Sequence, residues 1–142
     1  MEKKISIDRI REASEDIKKA VHRLRLLGEK SLEEFLSNED YQDIARSRLL
    51  IAIEASINIC YHIVAKKLRR VPDEYGQCFK ILGEEGLISK GLAERLSLMC
   101  GFRNRLVHLY WKIDYQLVYK VIHSHLSDLE LFVDEINAFI FK

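Results

Sequence analysis

The chain has one proline and six glycines in 142 residues. Proline lacks an N–H and glycine is conformationally free, so both gather in turns. So small a number is low for a chain rich in turns and favours a few long helices. The three cysteines, Cys60, Cys78 and Cys100, are odd in number, far apart and without CxxC spacing. A disulfide framework and a zinc site are therefore not expected, and the thiols read as small reduced core residues. There is no run of about 18 apolar residues, and the N-terminus opens on charge, so no membrane span or signal peptide is expected and the predicted location is cytoplasmic. Net charge is almost absent, +1 from 23 basic and 22 acidic residues. Any affinity for RNA must then come from local clusters. No phosphate loop is present, because Gly83-Glu84-Glu85-Gly86 is acidic and no Gly-Lys-Ser/Thr follows. His123 and His125, two apart, face different sides of a helix and match no HExxH metal pair.

The chain has the balance of a globular protein, 48% hydrophobic and 32% charged residues. One domain over residues 1–142 is expected, all-α, an up-and-down bundle of four to five main helices. Ile7, Ile10, Ile17, Val21, Leu24 and Leu27 give a first helix over 5–27, stopped by Gly28. His22 has no polar partner nearby and reads as a surface or boundary residue. Ser31 and Glu34 form a capping box for a short helix, and Asn38 caps a long one over 39–69. That long helix is apolar over a wide arc around Leu49-Leu50-Ile51-Ala52-Ile53, so contact on two sides is expected, with the core and with a partner chain. His62 reads as a core or boundary histidine, with a cleft role as the alternative. Glu54 stands among apolar residues and needs a cation or several donors, Arg103 being a plausible partner. Pro72 ends the helical pattern. A short helix follows over 75–82, and Ser89 is a candidate N-cap. A last helix is expected from an Asp114 cap through Phe141.

Lys66, Lys67, Arg69 and Arg70 make the strongest basic run. It suits the negative end of the helix macrodipole, and it is also a candidate RNA-binding patch. The densest chemistry lies in Arg103-Asn104-Arg105-Leu106-Val107-His108-Leu109-Tyr110, followed by Trp111. A helix over 92–111 is expected here. At about 100° per residue, Phe102, Leu106 and Leu109 form a core stripe. Asn104 and His108 fall within about 40° of each other, and Arg103 and Tyr110 within about 20°. The face so defined also carries Val107 and Trp111, which points to a cleft or an interface between chains.

The spacing Arg103, four residues, His108, one residue, Tyr110 resembles the motif of the HEPN superfamily and most closely the HepT-like toxins. The polar Asn104 after the Arg fits, as do Ala52 to Ala55, Tyr61 to Ala65, Tyr75 to Leu82 and Leu98 to Phe102. The resemblance covers nearly the whole chain, most weakly the first thirty residues. It implies a HEPN-like homodimer with paired motifs in one cleft. It also implies a toxin that cleaves RNA without metal or cofactor, with Arg103 and His108 catalytic and Asn104 supporting. The partner it implies is an MNT-type nucleotidyltransferase antitoxin that transfers AMP from ATP to Tyr110. The residue types suit this chemistry. Imidazole exchanges protons near neutral pH, and a guanidinium offers phosphate a permanent two-pronged donor. Arg103 and His108 are rotated by about 140° on one helix, which a facing second copy would compensate. The alternative reading is a non-catalytic helical partner of a nucleotidyltransferase that binds nucleotide or acts as a scaffold.

Overall fold

In a computed structural model, which describes residues 4–141, the chain is all-helical, with seven α-helices among the described residues. They are α1 (Ile7–Gly28), α2 (Leu32–Leu36), α3 (Glu39–Lys66), α4 (Tyr75–Glu84), α5 (Lys90–His108), α6 (Tyr115–Ser124) and α7 (Leu126–Ile140). A 3-10 turn, Tyr110–Lys112, joins α5 to α6. Short polar side chains set the helix starts. Ser6, Asn38, Ser89 and Asp114 each accept a backbone N–H of the helix they open. At α2 the capping box is reciprocal, with Glu34 N–H on Ser31 Oγ at 3.1 Å and Ser31 N–H on Glu34 Oε1 at 3.5 Å.

The core lies between two helix pairs, α1 along α3 and α4 along α5, with α7 closing against them. Ile17, Ala20, Leu24, Leu49, Ala52 and Ile63 are fully buried along the first seam. Phe79 of α4 meets Phe132 of α7 edge-on at 5.5 Å. Phe35 of α2 packs under Tyr119 of α6 at 5.5 Å, and the Tyr119 hydroxyl donates to Lys30 O at 2.6 Å. Helix α3 is long and apolar enough to cross a bilayer, but 61% of its most apolar window is buried inside the bundle. The three cysteines are free and buried, as expected, and the sulfurs of Cys60 and Cys78 lie 2.7 Å apart.

Several boundaries differ from those expected of the sequence. The last helix is two, broken at His125 (φ −126°, ψ 0°). Here the buried Asp128 takes Arg95 Nε at 2.9 Å and faces His125 Nδ1 at 3.5 Å, so the break gathers the donors that a buried carboxylate needs. Helix α3 stops at Lys66 rather than residue 69, because Arg69 adopts left-handed backbone (φ 54°) and Arg70 N–H turns back to Val64 O at 3.1 Å. Ile7 and Ile44, expected in the core, are 43% and 36% exposed. Each lies off the buried stripe of its helix, which Ile10 carries in α1 and Ala45 in α3.

His62 is a core histidine. It is buried, and its Nε2 accepts the Ser6 N–H at 2.8 Å, tying the start of α1 to α3. That bond requires an unprotonated Nε2. Burial, then the nearby Arg9 and Lys66, hold the imidazole below its ordinary value. The unfolded chain therefore takes up this proton first. The contribution is complete above the unfolded value of about 6.5 and is lost as pH falls below it toward the folded value. Urea midpoints measured between about pH 7.5 and 5 should fall with pH in the wild type and less steeply in His62→Gln, which keeps an acceptor but no titrating group. In the same assay Phe132→Ala should cost about 3–5 kcal/mol and Val71→Ala, at a site 90% exposed, less than about 0.5 kcal/mol.

Candidate active site

The site forms where α5 lies between α3 and the start of α4. Arg103 is largely buried, its side chain 14% exposed, and three groups fix it. Its Nε donates to Glu54 of α3. Its Nη1 donates to Asn104 Oδ1 at 3.0 Å. The Tyr75 ring lies against the guanidinium, 4.9 Å from centre to Cζ, and Tyr61 meets Tyr75 edge-on at 5.7 Å. Glu54 thus finds the cation that its apolar setting demands. A guanidinium has five N–H donors. Two are taken, leaving three for an anion in the cleft.

The cleft measures 650 Å³. Arg103, Asn104 and His108 line it, together with Tyr61, Asp73, Glu74, Tyr75, Ser97 and Cys100. His108 and Asn104 are exposed to it. Burial, with smaller effects from Cys78 and Tyr75, pushes the Tyr61 phenol up to about 12, so it remains a hydroxyl donor at neutral pH. The Cys100 thiol is likewise pushed up to about 12, mainly by burial, which argues against a thiolate nucleophile here. Among the described residues no cluster of three His, Cys, Asp or Glu could hold a metal ion.

The fold brings Arg103, Asn104 and His108 to one cleft but sets Tyr110 apart. Helix α5 ends at His108 instead of running through Trp111, and Leu109 leaves the helical region (φ −125°, ψ 37°). A continuing helix would use Leu106 O for the Tyr110 N–H. Instead Arg46 of α3 donates its Nε to Leu106 O at 3.1 Å. Tyr110 is therefore not on the face of Arg103. Its ring lies under the Arg46 guanidinium at 5.7 Å and is 61% exposed. Leu109, expected in the core stripe, is 43% exposed for the same reason, while Leu106 is fully buried and Phe102 half-buried.

The basic run does not line the cleft. Arg70 lies 3.9 Å from Glu84 and 3.8 Å from Glu85, at the end of α4 away from Tyr75. Lys67 lies over the Phe139 ring at 5.2 Å, while Arg69 is exposed and Lys66 half-buried. Sequence reasoning assigns Tyr61, Tyr75 and Ser97 no role in the site, since isolated tyrosines and serines carry no positional signal. It misses Arg46 as well, one polar residue on a long helix.

An all-α bundle with Arg-x4-His closing one helix, the Arg held by a carboxylate and a cleft open beside both, is the architecture of a HEPN domain. The family model described as ribonuclease HepT-like matches residues 10–136, and the chain belongs to that family. It is 32% identical over 123 residues to the mRNA nuclease HepT of Shewanella oneidensis, covering 86% of this chain and 91% of that one. It is 32% identical over 110 residues to the tRNA nuclease HepT of Aphanizomenon flos-aquae, covering 78% and 75%. A solved structure of the tri-AMPylated Shewanella oneidensis HEPN toxin in complex with MNT antitoxin superposes with a TM-score of 0.85 at 30% identity, over 94% of this chain and 99% of that one.

The Glu54–Arg103 contact should show as energetic coupling. A double-mutant cycle on urea stability with Glu54→Gln and Arg103→Gln is expected to give about 1–2 kcal/mol of interaction, and a value near zero would mean the two side chains do not pair in solution.

Proposed function

We propose that the chain is the toxin of a toxin–antitoxin pair, a homodimeric endoribonuclease that cleaves without metal. The observation that carries this reading is the fixed, partly unsatisfied Arg103 guanidinium in the same cleft as the exposed His108. In the proposed reaction His108 removes the proton of a ribose 2′-hydroxyl, and that oxygen attacks the adjacent phosphorus. The 5′-oxygen leaves and takes up a proton, giving a 2′,3′-cyclic phosphate and a 5′-hydroxyl. Arg103 stabilises the negative charge that builds on the phosphoryl oxygens, and Asn104 holds Arg103 in register. Lys66, Lys67, Arg69 and Arg70 steer the RNA strand from further along, since the segment from Arg70 leads directly to Asp73 on the cleft rim. Exposed Ile51 of α3 and Leu98 of α5, 40% and 72% accessible, offer the apolar surface on which a second copy would sit.

The antitoxin in this reading is an MNT-type nucleotidyltransferase that silences the toxin at Tyr110. The phenol oxygen bonds to the α-phosphorus of ATP, pyrophosphate leaves and the phenol proton passes to solvent. The product is a phosphodiester with one negative charge and a bulky nucleoside, set just past the end of α5, where it obstructs and repels RNA. Support comes from the AMPylated state of the Shewanella oneidensis toxin and from the exposure of Tyr110.

Purified protein is expected to cut RNA in the presence of EDTA and leave cyclic phosphate ends. Arg103→Ala and His108→Ala should each lower kcat by about 10²-fold or more while remaining folded. Wild-type rates in both folded variants would overturn the site. Lys67→Ala and Arg69→Ala should act through binding, with a shallower salt dependence. After co-expression with the partner nucleotidyltransferase, intact mass should rise in AMP units in the wild type and not in Tyr110→Phe.

A further inference from the structure

The aromatic pair beyond α5 is left unused by the cleavage chemistry. Tyr110 and Trp111 are both mostly exposed, and their rings meet edge to face at 5.3 Å. Arg46 reaches Tyr110 from α3. Its Nε is committed to Leu106 O at 3.1 Å, which pins the side chain against the end of α5. Its guanidinium then lies over the Tyr110 ring at 5.7 Å. Among the described residues it takes part in no ion pair within 4.0 Å, so a half-buried, permanently charged group beside the tyrosine has no anion of its own.

We propose that Arg46, Tyr110 and Trp111 form a nucleotide subsite, in which Arg46 holds the phosphate of an AMP carried by Tyr110 and the Trp111 indole stacks on its adenine. This rests on AMP transfer to Tyr110 and adds where the transferred nucleotide goes. The phosphodiester is attached to the same ring that the guanidinium covers, so it falls within reach of the four N–H donors that Leu106 O does not use. A guanidinium on phosphate forms charge-assisted bonds, roughly twice as strong as neutral ones. Purines stack on aromatic rings, and Trp111 is open to do so. Arg103 is a poorer host, because Glu54 and Asn104 already hold it and Tyr110 has left its face. The docked nucleotide would then lie beside His108, the last residue of α5, rather than trail into solvent.

Trp111 is the sole tryptophan of the chain, so tryptophan emission reports on this subsite alone. Wild type and Arg46→Gln are modified by the partner nucleotidyltransferase with ATP, and intact mass establishes an equal AMP load. Emission is expected to be quenched by modification in the wild type and to stay at the unmodified level in Arg46→Gln. Equal quenching in the two proteins, or none in AMP-bearing wild type, would overturn the subsite. If Arg46→Gln does not fold, Arg46→Lys takes its place and is expected to lose some of the quenching, because a point charge lacks the two-pronged grip. Full quenching in Arg46→Lys would then count against the subsite. A wild type that gains no AMP on Tyr110 would instead overturn the modification reading, and this one with it.

Discussion

A guanidinium cannot shed its charge at any physiological pH, so burying one obliges the fold to supply an anion. Arg103 sits on α5 with its side chain 14% exposed, and Glu54 of α3 answers it. The pair therefore does two things. It fixes α5 against α3 at one register, and it takes the Nε donor so that the remaining donors are offered to the cleft. Asn104 and Tyr75 tighten the same geometry from the next residue and from the start of α4. Three elements distant in sequence converge on one side chain, and the cleft is the space they leave.

A second arginine acts in parallel at the end of the same helix. Arg46 on α3 takes the Leu106 carbonyl, and α5 gives way to a 3-10 turn after His108. Helix α3 thus holds α5 at two points of the motif, through Glu54 at Arg103 and through Arg46 at Leu106. The consequence reaches the site. His108 becomes the terminal residue of a helix, exposed at the cleft, and Tyr110 swings to a separate position with its own cation. The proposed catalytic and regulatory residues, neighbours in sequence, are separated in space where α5 ends beside the Arg46–Leu106 bond. The same reasoning explains the break at His125, where the buried Asp128 draws donors from α5 and from its own helix start.

Much of this is legible in the sequence. The scarcity of proline and glycine, the 3.6-residue periodicity and the caps at Ser31, Asn38, Ser89 and Asp114 point to the all-α class and to most helix starts, because these are local signals set by nearest neighbours along the chain. The arginine, asparagine and histidine of the motif are identifiable by type and spacing. Even the need of Glu54 can be read, since a carboxylate among apolar residues must find a partner.

The tertiary structure alone decided where helices ended and which groups met. The sequence pattern continues past His108 and past residue 124 with no breaking residue, so nothing local marks those ends. Side chains distant in sequence meet the chain at both places, Arg46 at the first and Arg95, on Asp128, at the second. Tyr61 and Tyr75, from two different helices, became cleft walls only when α4 packed along α5. Sequence determines what is periodic and local, because each residue's backbone preference acts on its neighbours. Helix geometry relates Arg103 to His108, but the cleft they face depends on a hydrogen bond and an ion pair between residues about fifty to sixty positions apart, and only the folded chain brings those together.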